Sequence, residues 1–279
     1  MDEIIIPDKL KELSDTESLR IIRIFAEIGL DLLKISPAIV TRLKLLNRET
    51  NFLEDEHRAT HYAKAVFDWY KDNQPKNEWT ETEKKIVTVG TMFSDIGKTG
   101  PRIANEAQQE LIVQMYGIEN VEDPKMRVAD FIVKYFHDDA QERINMFRSL
   151  NLDDQMTMRS FWDLHVFWTY EIIIGDGVPP EAVAAAATHH FIQGLNPQGI
   201  VGENGKFKDK FGDNASFDRA EKLVILLDKY DAYRRRGGKS NLDAVTCLKG
   251  DVARSQQFAD DTQFAELIDV IEFTNREQS

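Results

Sequence analysis

Ile21, Ile24, Phe25, Ile28 and Leu32 recur at steps of three and four behind the capping-box pattern Ser14-x-x-Glu17. This spacing predicts an amphipathic helix over about 14–34. Leu43, Leu45 and Leu46 lie beyond the break at Pro37, and a second helix is predicted over 55–70. Thr80-x-x-Glu83 repeats the capping box and opens a third, running through Ile86, Val89 and Phe93 to stop at Gly97 or at Gly100-Pro101. Asp123-Pro124 sets a cap residue before a first-turn proline, so 124–150 reads as a helix. Further helices are expected over 157–174, 180–190 and 217–234. Period-two alternation is nowhere sustained, so the fold class is all-α. The run from Gly194 to Asn214 holds five glycines and Pro197 and reads as one long loop. No internal repeat is visible. A boundary near residue 48 would separate an N-terminal helical arm, 1–48, from a domain over 49–279.

Composition narrows the function. The 279 residues carry 35 Lys+Arg against 48 Asp+Glu, a formal charge of −13, which argues against a broad basic surface for DNA. No apolar run approaches the roughly 20 residues that span a bilayer, so no membrane insertion is expected. Met1-Asp2-Glu3 lacks the basic start of an export signal, and a lone Cys247 offers no disulfide partner. The expected compartment is the cytoplasm.

The histidines carry the chemistry. His57 and His61 are four apart and share one helix face, His189 and His190 are adjacent, and His165 lies on another helix. With Asp95 and Asp228 on two more, nitrogen and oxygen donors could converge inside a bundle, as they do in di-metal helical proteins. Such donors suit iron, manganese or zinc. The competing reading of any one of these residues is an ordinary core or surface histidine. Lys98 and Arg234 to Arg236 equally read as cations at helix ends. Phe161, Leu164 and Trp168 form a helical stripe, better read as core than as a base-stacking surface.

Together the pieces resemble a known family. Ser94-Asp95-Ile96-Gly97-Lys98 resembles the His-Asp-Ile-Gly-Lys motif of HD-domain phosphohydrolases, specifically the HD-GYP class of cyclic di-nucleotide phosphodiesterases. Thr188-His189-His190 through Asn196-Pro197 is similar to that class's paired-histidine and Gly-Tyr-Pro stretch. Asp228-Lys229-Tyr230-Asp231-Ala232 resembles its Asp-x-Tyr-Asp-Ala segment, with arginines downstream. The resemblance implies an HD-domain helical bundle with a helical insertion over 102–160. It implies two divalent metal ions, iron or manganese foremost, with zinc, nickel or magnesium also admissible. Asp95 would bridge them, His165, His189 and His190 would hold one, and His57, His61 and Asp228 the other. Lys98 and Arg235 or Arg236 would contact substrate phosphates, and Asp231 the substrate. The implied reaction is metal-dependent hydrolysis of a cyclic di-nucleotide such as cyclic di-GMP, with a homodimer or a protein partner as the expected association. Ser94 stands where the motif has histidine. It keeps open a catalytically impaired nucleotide-binding or protein-interaction module, and the Asn196 in Gly-Tyr-Pro keeps open a phosphohydrolase of another phosphoester.

Overall fold

The computed structural model describes residues 5–118, 121–235 and 237–276. A short helix α1 (Asp8–Lys11) precedes α2 (Thr16–Glu27) and α3 (Pro37–Thr50). Helix α2 is shorter than its periodicity suggests. Asp15 rather than Ser14 caps it, accepting the Ser18 amide, and Gly29 at φ 72° turns the chain away. Helices α4 (Phe52–Asn73) and α5 (Glu81–Ser94) follow, the latter opened by the Thr80/Glu83 capping box. Phe25 of α2 packs against Phe93 of α5 with ring centroids 5.6 Å apart, so the N-terminal helices share the core of the rest. The fold is an all-α bundle.

At its centre α5 packs on α10 (Pro180–Ala187) and α11 (Arg219–Arg235). Small residues set this approach. A Cβ added at Gly90 would stand 2.9 Å from Ala185 Cβ and 3.2 Å from Val224 Cγ2, while Ala182 to Ala187 are wholly enclosed. The run of alanines is therefore a packing surface that lets three backbones close around one point. Helix α10 stops at Ala187, short of the predicted 190, and His189 and His190 lie in the turn that follows. Two helices, α12 (Asn241–Arg254) and α13 (Thr262–Thr274), complete the bundle, with α13 against α4. The glycine-rich stretch read as a loop contains an antiparallel hairpin of β1 (Lys206–Phe211) and β2 (Asn214–Ser216). Phe207 and Phe211 are buried, which anchors the hairpin beside α10.

The predicted helix over 124–150 is two helices. Helix α6 (Glu106–Gly117) is followed by α7 (Val128–Phe136), α8 (Ala140–Ser149) and α9 (Met158–Ile173). His137 at φ 41° breaks α7 from α8. Asp123 does not cap a helix; its carboxylate accepts the Lys125 amide in a turn. Asp153 does the same to Gln155, thirty residues on. The correspondence extends along both loops. Val128 N–H donates to Met156 O at 2.9 Å and Met158 N–H to Met126 O at 2.8 Å; Ala129 donates to Asp154 O and Arg159 to Pro124 O, both at 2.9 Å. The described residues of 106–173 thus form two similarly built helix–loop–helix units, their loops bonded reciprocally around Arg127 and Thr157. The sequence conceals the likeness, because only Asp123/Asp153, Met126/Met156 and Phe131/Phe161 are identical around the loops. Among the described residues no helix is long and apolar enough to cross a membrane.

Candidate metal centre

His165 on α9 and His189 and His190 after α10 meet in the interior, with one ring nitrogen of each lying within 4.8 Å of the others. His165 and His189 are 4% and 0% exposed. Each turns its Nδ1 to a backbone carbonyl, His165 to Trp162 and His189 to Ala186. A carbonyl only accepts, so both Nδ1 atoms carry hydrogen. Burial pushes the His165 imidazole down to about 3 and lowers His189 as well, so both rings are neutral at pH 7. Both Nε2 atoms are then bare lone pairs, and they face each other at 3.0 Å. Two lone pairs so placed repel each other, and a cation beside them would relieve the repulsion. His190 Nδ1 is enclosed with no partner, a third unused donor.

Carboxylates adjoin the imidazoles. Asp95, at the C-terminal end of α5, brings Oδ1 to 3.7 Å from His165 Nε2, and its other oxygen bonds the Lys98 ammonium. Burial would raise the Asp95 carboxyl, but the Lys98 ammonium beside it outweighs burial and holds it well below the usual range. Asp228 on α11 places Oδ2 3.7 Å from His190 Nε2. The turn carrying Asp95 and Lys98 is fixed by close approach. Gly97 N–H donates to Thr169 Oγ1 at 3.1 Å, and that hydroxyl donates to Ser94 O at 2.8 Å.

A pocket runs from this centre outward, lined by Asp55, Glu56, Thr91, Ser94, Asp95, Asp228, Asp231 and Arg235 among others. At its mouth Arg58 pairs with Asp55 and Asp231, the latter at 2.8 Å, and Arg235 lies 2.9 Å from Asp55 and 3.7 Å from Asp231. Arg236 lies outside the described residues. His57 and His61 are exposed, and α4 lends the pocket Asp55, Glu56 and Ala59 instead. The sequence-based assignment of these two histidines as ligands is not matched by their position. The buried face of α4 runs through Phe52, Ala59, Ala63, Val66 and Tyr70, and Glu56 falls on that stripe while both histidines fall off it.

Glu56 is the residue that sequence reasoning missed. Its Oε2 is enclosed without a partner, and burial, reinforced by Asp95, Asp55, Asp228 and Asp231, raises its carboxyl well above the usual range. A charged residue inside an apolar stripe was the available signal. The bare Nε2 atoms and the unpartnered His190 Nδ1, with Asp95 adjoining, form a donor set that fits a divalent cation of the iron, manganese or zinc kind, and Glu56 lines the neighbouring pocket with Asp95 and Asp228. Compared with protein-family models, curated proteins and solved structures, the chain matches none.

Buried neutral histidines give a stability signature. His165 titrates near 6.5 when unfolded and about 3 when folded, so between those values the unfolded state takes up the proton and the native state does not. Stability therefore falls as pH drops through that window, by up to about 1.4 kcal/mol per pH unit for such a histidine. The urea midpoint of metal-free protein is expected to fall from pH 7 to pH 5, with a shallower slope in His165→Gln. An equal slope in the variant would contradict this origin.

Proposed function

We propose that the chain is an HD-type metal-dependent phosphodiesterase that hydrolyses a cyclic di-nucleotide such as cyclic di-GMP. The observation that carries this reading is the pair of bare imidazole lone pairs of His165 and His189, 3.0 Å apart beside Asp95. His165, His189, His190 and Asp95 would hold one divalent metal, and Asp95, Asp228 and Glu56 a second, with iron or manganese the foremost candidates. When bound, such a pair supplies an ionised water and offsets charge growing on the phosphoryl oxygens.

The chain's own residues set the stage for this chemistry. Lys98, joined to Asp95, keeps a positive charge beside the reacting phosphate. Arg58 and Arg235 offer guanidinium groups at the mouth, where a phosphate competes for them with Asp55 and Asp231. Against a net charge of −13, a nucleotide is drawn in only by this local potential. In this reading the protein works in the reducing cytoplasm, as its single cysteine suggests.

Protein purified without chelator is expected to carry metal and, with added Mn²⁺ or Fe²⁺, to convert cyclic di-GMP to its linear product. A metal at a hundred times its Kd stabilises by about 2.7 kcal/mol, which raises Tm by roughly 5 °C or more in a chain of this size. Finding neither bound metal nor a thermal shift would overturn the reading. One observation favours a second: Ser94, in the motif histidine's place, donates its hydroxyl to Thr91 O at 2.9 Å. That supports a binding module for nucleotide or protein, in which equilibrium dialysis detects cyclic di-GMP binding without turnover.

A further inference from the structure

We infer that Arg42, on α3, is a positioning residue for the turn that carries Asp95 and Lys98, and that it ties the N-terminal helices to the metal centre. The inference rests on the metal reading above for its consequence, and on geometry alone for the clamp itself.

Arg42 is 5% exposed and, among the described residues, no carboxylate lies within its hydrogen-bonding reach. Its Nη1 donates to Thr99 Oγ1 at 2.7 Å, Thr99 O at 3.2 Å and Gly100 O at 3.3 Å. Its Nη2 donates to Pro101 O at 3.0 Å and Arg102 O at 3.1 Å. Four consecutive carbonyls are gathered around one planar fork. Burying a cation among neutral acceptors is costly, and only a large set of hydrogen bonds offsets it. An apolar side chain could fill the space but could not fold those carbonyls inward. Lysine, with three donors on a point charge, could not span them.

The position of the clamp gives it meaning. Gly97 is held from the α9 side by Thr169, and Thr99 to Arg102 are held from the α3 side by Arg42. Asp95, Ile96 and Lys98 lie within or against this double-anchored turn, closed by Lys98 N–H to Asp95 O and Gly100 N–H to Gly97 O, both 2.9 Å. Removing one anchor frees the segment from which both groups project. The aim of Asp95 toward His165 and of Lys98 toward Asp95 then depends on a residue of the first fifty.

Cobalt(II) titration followed by visible absorption tests this, because the band positions report ligand geometry. The variants are Arg42→Met and Arg42→Lys, with Ile21→Ala as a control that loosens the buried face of α2 without touching the turn. Wild type and Ile21→Ala are expected to share one spectrum and one affinity. Arg42→Met is expected to bind cobalt at least tenfold more weakly with shifted bands, and Arg42→Lys to recover part of the affinity. A wild-type spectrum in Arg42→Met, or the same loss in Ile21→Ala, overturns the inference. If wild type binds no cobalt, the metal reading fails, and amide exchange still decides the clamp. Lys98 and Gly100 are expected to exchange at least tenfold faster in Arg42→Met than in Ile21→Ala, and equal rates overturn it.

Discussion

Asp95→Asn is expected to yield a folded protein that no longer retains a divalent metal. The substitution keeps the shape and leaves the Lys98 and His165 neighbours in place, but it replaces an anion with a neutral amide. The carboxylate is held ionised because the Lys98 ammonium outweighs burial, so at neutral pH it presents a negative charge to a cation. Losing a partner outside the coordination sphere already costs about ten- to a hundredfold in metal affinity, and a directly bound carboxylate should cost at least the upper figure. Elemental analysis should find metal in wild type and less than about a tenth as much in the variant, and the metal-dependent rise in Tm should vanish with it. Full occupancy in Asp95→Asn would remove Asp95 from the ligand set.

Gly97→Ala is expected to be strongly destabilising. A Cβ at this position would sit 1.9 Å from the His165 carbonyl oxygen and 2.6 Å from the Thr169 amide nitrogen. Both are backbone atoms of α9, so no side chain can swing aside; either α9 or the Asp95 turn must move. Overpacking of this kind costs about 3 kcal/mol. The movement also separates His165 from Asp95, so metal affinity should fall together with the urea midpoint. A midpoint within about 0.5 kcal/mol of wild type would show that the turn is softer than its contacts imply.

Much of the fold is legible where one short-range rule decides. The Thr80/Glu83 capping box and the stripe Ile86, Val89 and Phe93 define α5 without any knowledge of its neighbours. The rules fail where tertiary contacts compete. Asp123-Pro124 has the composition of a helix start, yet its carbonyl and amide groups serve a loop paired with a second loop thirty residues away. The centre is partly legible for the same reason. His165, His189, His190 and Asp95 stand out as residue types in a motif, whereas Glu56 is distinguished only by the face of α4 it occupies. His57 and His61 drew attention by their spacing, but the face of α4 they share is the solvent face, one residue round from Glu56. Arg42 gives no signal at all, since a lone arginine in a leucine-rich helix looks like any surface cation.

The reciprocal pairing of the two loops has a consequence for cooperativity. Each unit saturates main-chain groups of the other, so neither can open alone without giving up these shared hydrogen bonds. They should join or leave the native state as a single foldon. Because α9 is the outgoing helix of the second unit and also packs on α10 and on the turn that follows α5, His165 couples the imidazole cluster both to the paired loops and to the central bundle.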